Sequence, residues 1–131
     1  MNLENLHGDT ALFFAVDCGN LGIVDRLLAY GANYYRVSNH GDNLLLCAIN
    51  SGNNDMLRKV LSLGIDINHR DNNGWTPLMY AVDACEKKMV EILLEHGANT
   101  TIKTKNGIMT LDFAKNENIK RLIGKLIFLK I

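Results

Sequence analysis

"GWTPLMYAVDACEKKMVEILLEHG", residues Gly74 to Gly97, decides the fold. It holds the chain's only tryptophan, Trp75, and its only proline, Pro77. Thr76 is a residue type that caps a helix N-terminus by accepting from an orphaned backbone N–H. Pro77 suits the first helical turn, where its missing donor costs nothing. Met89, Val90, Leu93 and Leu94 then recur at the spacing of an amphipathic helix, and Gly97 closes that helix. The stretch reads as two short helices and a loop. A two-helix unit of this size cannot bury its own apolar face and must stack on neighbours.

The neighbours are in the sequence. Gly8, Gly41, Gly74 and Gly107 are spaced by 33 residues. Leu12, Leu45, Leu78 and Leu111 keep that register, as do Ala15, Ala48, Ala81 and Ala114. Apolar pairs follow at Leu27–Leu28, Val60–Leu61, Leu93–Leu94 and Leu126–Ile127, then Gly31, Gly64 and Gly97. The period predicts helix N-caps at Thr10, Asn43 and Thr76. It predicts left-handed turns at Gly19 and Gly52. In the third repeat that turn position is Cys85, which predicts a local distortion. "GANYYRVSNHG", "GIDINHRDNNG" and "GANTTIKTKNG" are the loops that extend as hairpin-like fingers.

This pattern resembles the ankyrin repeat. The third unit matches the G-x-T-P-L-H-x-A core of that family with Met79 in place of the His. The first has Ala11 for the Pro and Phe13 for the His, the second departs further, and the fourth is degenerate. The resemblance implies an all-α ankyrin-repeat solenoid of stacked helix-turn-helix units with finger loops. It implies one domain over residues 1–131, with repeats at 7–39, 40–72, 73–105 and 106–131. The last repeat acts as a C-terminal cap: Asp112 and Lys115 replace apolar residues, and Lys120, Arg121, Lys125 and Lys130 edge its helix, although "LIFLKI" stays apolar. At the other end Phe14 holds a position that packs on a preceding repeat. Three readings stay open: Leu3 and Leu6 fold over it, the chain is a fragment, or the end face docks a second molecule.

Composition narrows the function. Hydrophobic residues make up 47% and charged residues 21%, as in ordinary globular proteins. Formal net charge is zero, which argues against a protein built around nucleic acid or an anionic membrane. The N-terminal stretch lacks the basic and apolar regions of a signal peptide. No apolar run reaches the roughly 20 residues that span a bilayer. Cys18, Cys47 and Cys85 are odd in number and widely spaced, so they read as free thiols in a reducing compartment such as the cytoplasm. Cys47, between Leu46 and Ala48, reads as core. Asn is abundant, which we read as the codon bias of an AT-rich genome. A segment of a larger bacterial or viral protein acting in the host-cell cytosol is the alternative setting.

No motif points to catalysis. His7, His40, His69 and His96 form no i, i+3 or i+4 metal pair, and there is no Walker loop, Cys-x-x-Cys or Gly-x-Ser-x-Gly. We expect no enzyme, no cofactor and no metal; a small-ligand site or enzyme in the concave groove is the remote alternative.

The resemblance implies a protein partner, held by finger tips and the concave edge of the first helices. Positions that the repeat core leaves open are then informative: Asp9, Asp42, Trp75 and Ile108 after each glycine, His40 and Asn73 before it, Asp83 late in the first helix, and Tyr35 in the first finger. Aromatic residues are enriched at binding hot spots. Trp75 is therefore either a hot spot or a ring laid over neighbouring finger stems. Asp9, Asp17, Asp42 and Asp83 suit a basic partner segment. The basic fourth repeat also allows self-association through the end faces.

Overall fold

Thr76 and Pro77 begin a helix as their chemistry dictates. The Thr76 hydroxyl accepts from the Met79 N–H at 3.3 Å, and Pro77 is the first residue of the helix Pro77–Asp83. The computed structural model describes residues 6–38 and 40–129, with side-chain surroundings for 11–38 and 40–124. Over that range the helices are α1 (Leu6–Asp17), α2 (Leu21–Ala29), α3 (Leu44–Ser51), α4 (Asn54–Leu61), α5 (Pro77–Asp83), α6 (Lys87–Glu95) and α7 (Glu117–Leu129). A short 3₁₀ helix, Thr110–Phe113, precedes α7. Among the described residues there is no strand, only an isolated bridge between Lys103 and Met109.

The helices gather into two compact units, Met1–Ile65 and Asp66–Ile131. In the first, α1 packs on α2 and α3, and α3 on α4; in the second, α5 packs on α6 and the 3₁₀ helix, and α6 on α7. The recurring alanines, Ala15, Ala48, Ala81 and Ala114, are all buried, so the helices approach closely where side chains are smallest. Leu12, Leu45 and Leu78 are buried beside them, and Met56, Leu57, Val60, Met89, Val90 and Leu93 form the apolar stripes of the second helices. Ile23 of the first such stripe remains 46% exposed.

Asparagine has a structural task that composition alone did not show. Asn20, Asn43, Asn53 and Asn116 each accept, through Oδ1, from the N–H three residues on, at 2.8–3.1 Å, at the starts of α2, α3, α4 and α7. Each satisfies a donor that the helix itself cannot.

Four expectations are corrected. Thr10 lies inside α1 and is not its cap. With Ala11 where the third repeat has Pro77, nothing drives residue 10 out of the helical region, so α1 runs through Gly8 and Asp9. Cys85 does not distort its turn. It adopts the left-handed conformation itself, φ 58°, as Gly19 and Gly52 do at 73° and 69°. The N–H groups of Cys85 and Glu86 donate to Val82 and Ala81 at 3.0 and 3.0 Å, the same pattern that Gly19 and Asn20 make to Val16 and Ala15. Leu111, in register with three core leucines, is 43% exposed. The 3₁₀ turn advances side chains by a wider step than an α-helix, while Thr110, in register with buried Leu44 and Pro77, keeps its buried place. Cys47 is only half-buried and faces a surface hollow, because it lies on the open side of α3. The suggested cover of Phe14 by Leu3 and Leu6, and the side chains of Lys125 and Lys130, fall outside the described residues.

Candidate functional site

The finger loops end on a recurring device. Ser38, Asp71 and Thr104 stand three residues before a repeat glycine. Their N–H groups donate to the carbonyls of Asp42, Trp75 and Ile108 at 2.9, 2.9 and 2.8 Å. Their side-chain oxygens accept from the N–H groups two and four residues on: His40 and Asp42 at 3.3 and 3.1 Å, Asn73 and Trp75 at 2.9 and 3.0 Å, Asn106 and Ile108 at 3.2 and 3.2 Å. Short oxygen-bearing side chains favour such local turns. The residue after each glycine is thus fixed by its backbone, while its side chain is left to vary. Sequence reasoning missed this anchor, although Ser, Asp and Thr at intervals of 33 were the signal. Asn33, Asp66 and Asn99 repeat the device at the start of each finger, accepting from Tyr35, Asn68 and Thr101 at 3.0, 2.9 and 2.8 Å.

Within the second unit neighbouring fingers are tied by a backbone bond and by an arginine. Lys105 N–H donates to the Asn73 carbonyl at 3.2 Å, and Arg70 Nη2 to the Lys103 carbonyl at 2.9 Å. A Cβ at Gly74 would lie 2.8 Å from Lys105 N, so close approach and its φ of 81° both require glycine there.

The candidate residues sort into different surroundings. Trp75 is half-buried; its ring lies tilted against Tyr80 and Phe113, with ring centroids 4.8 and 4.3 Å away. The Tyr80 hydroxyl in turn bonds to Asp71. Asp83 pairs with Lys115, whose ammonium lies 3.2 Å from its carboxylate and 3.0 Å from its carbonyl. Ile108 is half-buried, and Asn73 is exposed at its finger tip. Tyr35 is 62% exposed with its ring 4.5 Å from that of Tyr34. Its hydrogen bond and charge interaction with Tyr34 raise its phenol above the usual 10.0. Asp9 lies in α1, and its side chain is outside the described residues.

Two candidates meet in the first unit. His40 and Asp42 line an open hollow of ≈ 550 Å³ together with Phe13, Phe14, Asp17, Ser38 and Cys47. Phe14 is 63% exposed there. Burial, and after it the carboxylates of Asp42 and Asp17, push the Cys47 thiol up to about 12. Such a thiol is a poor nucleophile at neutral pH. The hollow therefore offers aromatic surface and negative charge. Among the described residues no three His, Cys, Asp or Glu are grouped as a metal requires, and no helix is long and apolar enough to cross a membrane.

The model for ankyrin repeats in three copies matches residues 1–71 and 36–104. The chain belongs to the ankyrin repeat family. No curated protein matches it. Ankyrin repeats are generally protein–protein interaction modules and typically non-catalytic. The paired helices in both units accord with that family.

Proposed function

We propose that this ankyrin-repeat chain acts as one four-repeat domain that grips a partner protein along its finger tips and the inner edge of its first helices. The fourth repeat serves as the C-terminal cap. The observation that carries the reading is the convergence of His40, Asp42, Asp17 and exposed Phe14 on one open hollow. None of these side chains is needed to bury the repeat core, and exposed aromatic surface beside charge is typical of binding sites. Tyr35, on a finger of the first unit, and Asn73, on a finger of the second, are exposed as well. Three free cysteines favour a reducing compartment, and formal neutrality favours protein over nucleic acid.

Photo-crosslinking tests this reading. A photoreactive residue is placed at Tyr35 or Asn73 on the fingers, and at Arg58 or Glu95 on the exposed second helices. Partner proteins in the native cell should crosslink from the finger positions and not from the helix positions. Crosslinks only from Arg58 and Glu95 sink the proposal.

A further inference from the structure

Among the described residues, the second unit fills a face that in the first lies open. Positions two repeats apart correspond: Phe14 to Tyr80, Cys47 to Phe113, Asp17 to Asp83 and Ile49 to Lys115. In the second unit the Trp75 ring covers Tyr80 and Phe113, and Lys115 neutralises Asp83. In the first unit the matching places differ. The position of Trp75 is held by Asp9, within α1. The position of Phe113 is held by the smaller Cys47, and that of Lys115 by Ile49, which is buried. Among the described residues neither group has a counterpart there, and the hollow is lined by Phe14, Cys47 and Asp17.

We propose that this hollow takes a partner segment carrying an aromatic side chain beside a lysine or arginine, supplying to the first unit the indole and ammonium that the second holds internally. The inference rests on the protein-binding reading above and adds the chemistry of the bound segment. An aromatic ring gains an edge-to-face or offset contact on Phe14. A cation meets Asp17 and Asp42 at a rim where an acidic segment is repelled. The space falls within the range of small-ligand clefts and admits an aromatic side chain.

The probe is a fluorescein-labelled octapeptide with Trp and Lys in a Gly/Ser background, titrated against the full chain by anisotropy, in both Trp–Lys orders. Controls change Trp to Ala or Lys to Glu. The parent peptide should bind saturably, and each control should bind about tenfold more weakly or worse. Asp17→Lys, on an exposed position, should cause a similar loss with an unchanged circular dichroism spectrum. Cys47→Phe, which installs the filling of the second unit, should also block the probe. Equal binding of parent and control peptides, no binding of the parent, or full affinity in Asp17→Lys overturns the inference. Those results leave the protein-binding reading standing as long as the Tyr35 and Asn73 crosslinks form, since neither residue lines the hollow.

Discussion

Cys47 shows how one side chain reports on its surroundings. Its thiol is held at about 12, above the ordinary 9.0, first by burial and then by Asp42 and Asp17. In the unfolded chain those influences are absent. Between these values the folded protein therefore keeps a proton that the unfolded chain releases, and stability falls as pH rises. The contribution is fully present below pH 9.0 and is lost as pH climbs through about 12. In urea denaturation across that window, Cys47→Ala should flatten the decline, because alanine has no proton to release. Equal slopes for the two proteins would mean that the fold does not hold this thiol above its unfolded value. Trp75 shows a different lesson at the same scale. Its position after the glycine marked it as free of the scaffold, and its backbone is indeed fixed independently of its side chain. Only three-dimensional proximity places the ring on Tyr80 and Phe113, the second of which lies 38 residues away in the next repeat.

At the scale of the element, the link between α5 and α6 departs from its counterparts. The first two repeats join their helices through Gly19–Asn20 and Gly52–Asn53, a left-handed residue followed by a capping asparagine. The third uses Cys85–Glu86, with φ 58° on a residue that has a Cβ and no side-chain cap on α6. Left-handed backbone costs a non-glycine residue about 1–2 kcal/mol, and a missing N-cap costs about 1 kcal/mol. Cys85→Gly with Glu86→Asn should raise stability by about 2 kcal/mol, read as a higher urea midpoint at an unchanged slope. No gain would mean that neighbouring contacts already offset the strain. Much of this element structure was legible because it rests on local chemistry: Asn43 and Thr76 cap, Pro77 starts a helix, and Gly19 and Gly52 end one. The start of α1 was not legible, because the residue type is the same at Thr10 and Thr76, and only Thr76 is followed by a proline that holds it out of the helical region. Nor was the 3₁₀ turn. Met109–Thr110–Leu111 keeps the leucine of Thr76–Pro77–Leu78 but loses both the capping residue and the proline, and with them the α-helical phase that would bury Leu111. The hollow was hidden for a related reason: it depends on Cys47 being smaller than Phe113, a comparison that has meaning only once each residue is seen against its neighbours.

At the scale of the whole molecule, neutrality conceals an uneven distribution of charge. Residues 1–65 carry six acidic and four basic side chains, and residues 66–131 carry eight acidic and ten basic. The ion pairs among described residues are all at least partly exposed: Asp25–Lys59 at 2.7 Å, Asp83–Lys115 at 3.2 Å, Asp55–Arg58 at 3.4 Å, and the pairs Lys88–Glu91 and Lys120–Glu117 at 3.7 Å. Pairs of this kind contribute about 0–1 kcal/mol each. The fold is held instead by buried leucine, methionine, valine and alanine in both units, whose burial salt does not weaken. Binding at the first unit's hollow has the opposite dependence, since it sets a cation against carboxylates at a solvent-accessible rim. Raising salt from about 0.15 to about 1 M shortens the screening length from about 8 to about 3 Å. Over that change Tm should move by less than about 3 °C, while affinity for the Trp- and Lys-bearing octapeptide falls by about tenfold. The two measurements on the same samples separate the roles of charge. A fall in Tm of more than about 8 °C, equivalent to about 2 kcal/mol or more in a domain of this size, would place the stability in the ion pairs. Peptide affinity that ignores salt would mean that Asp17 and Asp42 do not meet the cation.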